Sequence, residues 1–280
     1  MNLHPAFTRG KVAVITGAAS GIGRAAAEKY ADLGMHVLLA DLPGDRLAAA
    51  TDAVRTIAAP RGAEVEALAV DVANFEQVQG LQARAYARFG QVDVLMNNAG
   101  MSVPTSDWRG IEDWRRTFDV NLWGILHGVQ AFTAAMIAQG TPGVIINTGS
   151  KQGITNPPGN PAYNATKAAV KSATESLQHS LRNTPDCRIS AHLLVPGYTY
   201  TGLTRAAEKP AGAWWPAQVV DYLLAALARG SFYVICPDNE VSSADDARRM
   251  LWAAGDMVED RSPLSRWDPA WQAAYAAFKP

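Results

Sequence analysis

Short apolar segments alternate with longer helical patterns along almost the whole chain of 280 residues. The apolar segments are rich in Val, Ile and Leu and show no polar alternation, which is typical of strands covered on both faces. Strands are expected at residues 11–16, 36–40, 65–70, 92–96, 144–147, 189–195 and 232–236. Helices are expected at residues 21–33, 44–58, 75–89, 111–138, 161–181 and 216–227. This alternation predicts an α/β fold with a doubly wound, seven-stranded parallel sheet and helices on both of its faces.

No linker, low-complexity tract or internal repeat interrupts the pattern, so a single domain is expected over residues 1–280. Residues 238–280 form a mixed polar and Trp-rich tail. Aromatic residues spaced in this way favour packing, so we expect the tail to lie on the body of the domain or on a partner subunit.

Charge and cysteine content narrow the functional classes. The formal net charge is −1, with Lys and Arg scattered along the chain, which argues against nucleic acid or a membrane as a partner. No run of roughly 18 apolar residues is expected to span a membrane, and the first residues lead into a strand without a secretory leader. Cys187 and Cys236 lack metal-ligand spacing and are too few for a disulfide framework. We therefore expect a cytoplasmic protein with buried thiols and no metal site.

A glycine-rich turn, TGAASGIG at residues 16–23, follows the first expected strand. Glycines let the backbone turn sharply and approach a pyrophosphate, whose charge is met by amides at the helix N-terminus. Such a loop alone could be only a tight turn, but its place between the first strand and the first helix favours phosphate binding. The sheet is therefore expected to be of Rossmann type. The expected dinucleotide contacts in this loop are Gly17, Ser20, Gly21, Ile22 and Gly23.

Two acidic residues end the next strands. Asp41 closes the second strand, where a carboxylate can accept hydrogen bonds from the adenosine ribose and repel a 2′-phosphate. It could instead cap the following helix. Arg46 is the only nearby cation, so the electrostatics favour NAD over NADP. Asp71, after the third strand, could accept from the adenine amino group or cap a turn.

Tyr163 and Lys167 stand four apart on an expected helix, so their side chains share a face. An ammonium beside a phenol lowers the phenol pKa from about 10. Such a Tyr can take a proton from an alcohol as hydride leaves, or return it to a carbonyl. Ser150 ends the preceding strand, where it can hydrogen-bond the substrate oxygen. The same spacing recurs at Ser262, Tyr275 and Lys279, but no apolar strand precedes that copy, and we interpret it as a coincidence.

These motifs, in this order, resemble the short-chain dehydrogenase/reductase family in its compact single-domain branch. The resemblance covers about residues 9 to 236 and includes NNAG (97–100), YNATK (163–167) and PGYTYT (196–201). It implies that Ser150 orients the substrate oxygen, that Tyr163 is the acid/base, and that Lys167 lowers the Tyr pKa and binds the nicotinamide ribose. Asn121 would hold a water that passes protons from Lys167, or would simply bond backbone within its helix. Further implied cofactor contacts are Val72, Asn98, Ala99, Gly100, Pro196, Gly197, Thr199 and Thr201, with Asn97 in support.

The resulting expectation is an NAD(H)-dependent oxidoreductase that interconverts a secondary alcohol and a ketone. An NADP(H)-dependent carbonyl reductase, with Arg46 reaching the 2′-phosphate, and a non-catalytic dinucleotide-binding scaffold are the alternatives. The resemblance also implies a homodimer or homotetramer, with the helices at 111–138 and 161–181 supplying the packing faces. Trp214 and Trp215 could wall an apolar pocket or pack under the next helix. Surface solvation is the expected role of Lys151. The expected substrate pocket is lined by Met101, Ser102, Lys151, Gln152 and Tyr198.

Overall fold

One sheet of seven strands forms the centre of the computed structural model, which describes residues 3–105, 108–204 and 206–279. The strands are β1 Val12–Thr16, β2 His36–Asp41, β3 Val65–Ala69, β4 Val94–Asn97, β5 Gly143–Thr148, β6 Ile189–Val195 and β7 Tyr233–Ile235. The helices are α1 Gly21–Asp32, α2 Asp45–Ala58, α3 Phe75–Phe89, α4 Ile111–Phe118, α5 Gly124–Ala138, α6 Gln152–Thr155, α7 Pro161–Arg182, α8 Pro216–Ala228, α9 Ser243–Val258 and α10 Gln272–Ala277. Every strand pairing is parallel, so the predicted fold is confirmed.

The strand order is β3-β2-β1-β4-β5-β6-β7. The chain first winds outward from β1 to β3, then crosses back to β4 and winds the other way. The two halves therefore diverge between β1 and β4, and their carboxyl ends leave a crevice there. Open parallel sheets bind ligands at this position.

The strands are apolar on both sides because helices cover both faces of the sheet. Ile15 and Leu39 face an apolar cluster that includes residues of α1, α2 and α8. Val14, Leu38 and Leu95 face a second cluster, with residues of α3 and α5. This explains why the strands lack the alternation of a half-exposed sheet.

The helix predicted over residues 111–138 contains a π-helical turn, Asp119–Trp123, between α4 and α5. The N–H of Gly124 bonds to the carbonyl of Asp119, five residues back rather than four. A π turn adds one residue to the helix, which leaves one carbonyl without its usual helical donor, and such turns are frequent at functional sites.

One helical stretch, Ile111–Ala138, is long and apolar enough to cross a membrane by length and composition alone, although polar residues interrupt its apolar sequence. A core helix passes the same test. In this structure Phe132 and Met136 are buried against the sheet in the second cluster, and Ile125 is buried in a smaller one. These contacts are those of a core helix.

The tail contains two helices, α9 and α10, that the sequence pattern did not predict. Trp252 of α9 is buried, and the rings of Trp271, Tyr275 and Phe278 pack around it at centroid distances of 5.2 to 6.5 Å. The Arg261 guanidinium lies 3.9 Å from the centroid of the Trp252 ring. The tail aromatics therefore pack on one another, and Tyr275, which belonged to the coincidental motif, is one of these rings. Packing of the tail on a partner subunit stays a prediction.

Candidate active site

The glycine-rich loop that joins β1 to α1 is shaped by close backbone contacts. Gly17 has a φ of +67°, a conformation that favours glycine, and a Cβ there would lie 2.7 Å from the Cα of Ala99. A Cβ on Gly23 would lie 2.2 Å from the carbonyl oxygen of Gly17. Ser20 is the N-cap of α1, but its side chain forms no capping hydrogen bond. The first amides of α1 thus face a tight glycine cradle, which fits the pyrophosphate of a dinucleotide.

Asp41 holds this cradle against the end of β2. One of its carboxylate oxygens accepts the N–H of Ala19 at 2.8 Å, and the other accepts the N–H of Leu42 at 2.8 Å. The N-cap of α2 is Gly44, so the alternative that Asp41 caps this helix was wrong. The carboxylate lies beside the cradle, where the adenosine ribose of a dinucleotide was predicted.

Asp71 forms a turn after β3, since its carboxylate accepts the N–H of Ala73 at 3.0 Å. Asp71 therefore caps a turn, which was one of its two expected roles, while its contact with the adenine amino group stays a prediction. The next residue, Val72, is buried beneath α5: a Cβ on Gly124 would lie 2.6 Å from Val72 Cγ2.

The NNAG segment leaves β4 beside the cradle. The Thr16 hydroxyl oxygen accepts the N–H groups of Asn98 and Ala99 at 3.0 and 3.2 Å, and the Asn98 amide donates to the Thr16 carbonyl at 3.2 Å. Asn97 is buried and donates to the side chain of Asn147 at 2.9 Å. Thr16 was not among the predicted site residues, although it begins the glycine motif. These bonds tie the ends of β1 and β4 together at the crevice.

Asn121 lies in the π turn and is fully buried. Its side chain accepts the N–H of Met101 at 2.8 Å and donates to the carbonyl of Met101 at 2.9 Å. It also donates to the Thr166 hydroxyl at 3.3 Å. The side chain therefore bonds the main chain of a distant segment rather than that of its own helix, and it fixes the segment after Gly100 against α7. The water predicted for Asn121 stays a prediction.

Ser150, Tyr163 and Lys167 come together at the carboxyl end of β5. The Ser150 side chain lies beside the Tyr163 hydroxyl and lowers its pKa as a hydrogen-bonding group. The Lys167 ammonium lies 5.7 Å from the centroid of the Tyr163 ring and donates to the carbonyl of Thr148 at 2.8 Å. Helix α7 begins at Pro161, whose ring suits a first helical position, so both side chains project from its first two turns.

Burial dominates the protonation of this group. Burial raises the pKa of the Tyr163 hydroxyl, and the hydrogen bond from Ser150 only partly opposes it. Burial also lowers the pKa of Lys167 from 10.5 to about 8. A lowered Tyr pKa was expected because the attraction of the cation was judged to outweigh the desolvation of the phenolate. In this geometry, without a dinucleotide, that prediction was wrong.

Residues 196–201 approach the cradle from β6 and contain Pro196, Gly197, Thr199 and Thr201. A Cβ on Gly21 would lie 3.1 Å from Thr201 Cγ2, so this loop meets the glycine-rich loop directly. The Thr199 hydroxyl donates to the carbonyl of Gly197 at 3.0 Å. The segment, which we call the nicotinamide-side loop, thus closes the crevice opposite NNAG.

Trp214 and Trp215 lie just before α8, in residues 206–215, which we call the lid, and their contacts differ. Trp214 packs against Tyr222 of α8 at 6.0 Å between centroids, as the packing alternative expected. Trp215 is 53% exposed and meets Tyr200 edge to face at 5.7 Å. It lines an open groove of about 700 Å³ that also includes Gly21, Arg24 and Thr201. This groove continues the glycine cradle toward the lid.

Comparison with known proteins places these features in a family. The short chain dehydrogenase family model matches residues 11–211. The chain is 31% identical over 260 residues to 1-deoxy-11-beta-hydroxypentalenate dehydrogenase of Streptomyces avermitilis, covering 90% of this chain and 92% of that protein. It is 33% identical over 209 residues to 3beta-hydroxysteroid dehydrogenase 2 of Eggerthella lenta, covering 74% and 78%.

Solved structures agree with this assignment. A short chain dehydrogenase/reductase from Burkholderia phymatum in complex with NAD superposes with a TM-score of 0.83 and 34% identity, covering 92% of this chain and 97% of that one. An alcohol dehydrogenase from Thermococcus sibiricus complexed with 5-hydroxy-NADP gives a TM-score of 0.67 and 29% identity, covering 78% and 90%. The ordered motifs, the sheet and these similarities lead to one conclusion. The chain belongs to the short-chain dehydrogenase family, whose members are oxidoreductases that bind a nicotinamide dinucleotide.

Proposed function

We propose that this chain is an NAD(H)-dependent oxidoreductase that interconverts a secondary alcohol and a ketone, with Tyr163 as the general acid/base. One observation carries the proposal: the Tyr163 phenol lies beside the Ser150 side chain, and the buried Lys167 amine, one helical turn further along α7, lies 5.7 Å from the centroid of its ring. This group stands at the carboxyl end of β5, beside the crevice where parallel sheets bind dinucleotides. A protein that only bound the dinucleotide would have no need for this arrangement.

The chemistry divides between the cofactor and the side chains. When bound, the nicotinamide supplies or accepts the hydride. The Ser150 hydroxyl orients the substrate oxygen by a hydrogen bond. Tyr163 donates its proton to that oxygen during reduction and accepts it during oxidation. The Lys167 ammonium stabilises the phenolate that each oxidation step requires, because opposite charges attract strongly in a buried site.

The proton must then reach solvent. The Asn121 side chain is already bonded to Met101 and Thr166, so we propose that the water implied for Asn121 is held by the main chain of the π turn. A π turn inserts one residue into the helical hydrogen-bond pattern, so a main-chain carbonyl of the turn is the expected acceptor for this water. Gly100 lies beside both residues, since a Cβ there would be 3.4 Å from the side-chain oxygen Oδ1 of Asn121 and 3.8 Å from the Lys167 amine.

The substrate class rests on the relatives and on the pocket wall. Both relatives are named as dehydrogenases of hydroxylated compounds, which supports an alcohol and ketone pair for this chain. Ser102 lies on one side of the expected pocket and accepts a hydrogen bond from the Asn160 side chain at 2.9 Å. Asn160 in turn accepts from Thr105 at 3.0 Å, so the segment after NNAG is fixed to the start of α7. A substrate of moderate size and little charge suits such a site.

The preference for NAD rests on Asp41. Its carboxylate, held by the N–H groups of Ala19 and Leu42, would repel the 2′-phosphate of NADP. NADP remains the alternative, because the similar alcohol dehydrogenase from Thermococcus sibiricus was solved with 5-hydroxy-NADP. A cytoplasmic location and assembly into a homodimer or homotetramer stay predictions from the sequence.

Replacing the phenol tests the chemistry. Tyr163→Phe keeps the ring but removes the proton donor, so we expect kcat to fall by at least about 100-fold on alcohols oxidised by the unmodified enzyme. NADH affinity, measured by fluorescence titration, should change little because the glycine cradle is untouched. Tyr86→Phe is the matched control, since it removes a hydroxyl bonded to Gln139, far from the crevice. If Tyr163→Phe retained most of its kcat, the assigned chemistry would be wrong.

A further inference from the structure

Lys151, the residue after Ser150, is held in a buried cluster of charges. Its amine lies 2.7 Å from the Asp246 carboxylate and 3.5 Å from the Asp238 carboxylate. The side chain of Lys151 is 18% exposed, and those of the two carboxylates are 5% and 6% exposed. The expectation that Lys151 is solvated at the surface was therefore wrong. In this cluster the Lys151 ammonium pairs with two buried carboxylates, those of Asp238 and Asp246, which both belong to the tail.

Asp238 ties this cluster to the nicotinamide-side loop. Its carboxylate accepts the N–H of Tyr198 at 3.0 Å, together with the N–H groups of Glu240 and Val241 at 3.0 and 2.8 Å. The neighbouring backbone is equally close, because a Cβ on Gly197 would lie 2.7 Å from the carbonyl oxygen of Pro237. The position of this loop therefore depends on where Asp238 is held.

Asp246 ties the cluster to the tail. It lies in the first turn of α9, which begins with a capping box between Ser242 and Asp245. Helix α9 packs against α6, which begins at Gln152, immediately after Lys151. The aromatic cluster around Trp252 holds the rest of the tail to α9. Lys151 is thus the point at which the end of β5, the nicotinamide-side loop and the tail meet.

The charges in the cluster are not equivalent. Burial raises the pKa of Asp246, and the Lys151 ammonium is the main group that opposes this rise. The pKa of Asp238 is lowered, because its three backbone donors and Lys151 outweigh its burial. If the cation were lost, Asp238 would keep its backbone donors, whereas Asp246 would be a buried carboxylate without its ion pair. A buried charge left unpaired is strongly unfavourable, so α9 would be expected to shift.

We propose that Lys151 is a positioning residue that fixes Ser150 and the nicotinamide-side loop through Asp238 and Asp246, so that the tail completes the active site. The inference rests on the proposed function for its effect on turnover. Residue 151 does not have to touch the substrate for this role. It sets the position of the hydroxyl beside it and of the loop that faces the crevice, and small displacements of such groups are costly to catalysis.

The variant Lys151→Met tests the proposal, with the double variant Lys151→Met/Asp246→Asn as a rescue. We expect the single variant to lower kcat about tenfold with little change in the NADH Kd, because positioning is lost while the cradle is intact. Neutralising Asp246 removes the unpaired charge, so the double variant should recover much of kcat. Lys29→Met is the matched control, because Lys29 also pairs with a carboxylate, that of Asp221, at 2.7 Å, but on the surface. Its kcat should equal that of the unmodified enzyme.

Hydrogen exchange gives a readout that needs no turnover. Lys151→Met should increase exchange in residues 196–201 and 243–258 together, and the double variant should restore protection. If Lys151→Met does not fold, Asp246→Asn alone should still loosen α9 and lower kcat, since it removes the closer of the two ion pairs.

The outcomes separate this proposal from the proposed function. An unchanged kcat and unchanged exchange in Lys151→Met, with an inactive Tyr163→Phe, would overturn the positioning role alone. A lower melting temperature with an unaltered kcat would also overturn it, since the cluster would then only stabilise the fold. An active Tyr163→Phe would overturn the proposed chemistry, while the exchange experiment would still decide whether Lys151 links the loop and the tail.

Discussion

The side-chain amine of Lys167 donates a hydrogen bond to the main-chain oxygen of Thr148, 2.8 Å away at the end of β5. This bond fixes the amine beneath the Tyr163 ring without placing any carboxylate beside it. The amine is buried, and burial lowers its pKa to about 8. The arrangement that keeps a cation close to the phenol therefore costs stability wherever that cation is protonated.

The variant Lys167→Met should show this cost as a pH dependence of stability. The unfolded chain keeps the Lys proton up to the ordinary pKa of 10.5, whereas the folded protein loses it at about 8. Between these values the unfolded state binds more protons, so the unmodified protein gains stability from this residue as the pH rises. The gain cannot exceed about 1.4 kcal/mol per pH unit. The penalty is complete below pH 8 and has disappeared above 10.5.

Urea unfolding of both proteins at several pH values measures this effect. The unfolding free energy of Lys167→Met, minus that of the unmodified protein, should decrease as the pH rises through the window. The Met variant is compared at each pH, so titration of other groups cancels to first order. A difference that stayed constant across the window would show that the amine is not desolvated in the folded protein.

Asp41→Asn should weaken the discrimination against NADP. The amide is nearly the same size and keeps one acceptor for the N–H of Ala19 or Leu42, but it removes the charge that repels a 2′-phosphate. We expect the ratio of kcat/KM for NAD to that for NADP to fall about tenfold, or about 1.4 kcal/mol. Asp45→Asn is the control, since it makes the same charge change in the first turn of α2. If Asp41→Asn and Asp45→Asn gave the same ratio of kcat/KM for NAD to that for NADP, Asp41 would not determine the cofactor preference.

The parts of this fold that sequence patterns predict are those specified by neighbouring residues. The glycine spacing of residues 17–23 and the Tyr163 helix depend on local geometry. The structure places the first at the crevice between β1 and β4 and the second at the carboxyl end of the neighbouring strand β5. The sheet follows for the same reason, because most strands are nearly continuous apolar segments, although β3 contains Glu66 and β6 contains Ser190 and His192. Helix α9 also had a local signal, the Ser242 and Asp245 capping box, which the sequence analysis missed.

Other features depend on contacts between distant segments. Lys151 was interpreted as solvated because its partners, Asp238 and Asp246, lie far along the chain in the tail. The π turn at Asn121 changes the helical register by a single residue, which leaves no clear periodic trace. The pKa of Tyr163 was predicted to fall because the cation was expected to outweigh desolvation, whereas burial, which depends on the whole fold, raises it. Local sequence patterns do not show how strongly a group is desolvated in the fold, nor which distant residue it pairs with.

Alanine substitutions at Gly23 and Gly80 compare a glycine whose surroundings leave no room for a Cβ with one whose surroundings do. Gly23→Ala places a Cβ 2.2 Å from the Gly17 carbonyl and 2.6 Å from the Asn98 side chain. The cradle must move apart, so we expect a loss of about 1–3 kcal/mol of stability and weaker NADH binding. Gly80→Ala, in the exposed middle of α3 with nothing within 4 Å of its Cβ, should instead gain about 0.5–1 kcal/mol because Ala is the better helix former. Urea unfolding and NADH fluorescence titration measure both effects. A Gly23→Ala protein that bound NADH as well as Gly80→Ala would show that the close contact between α1 and the loop is not what shapes the pyrophosphate site.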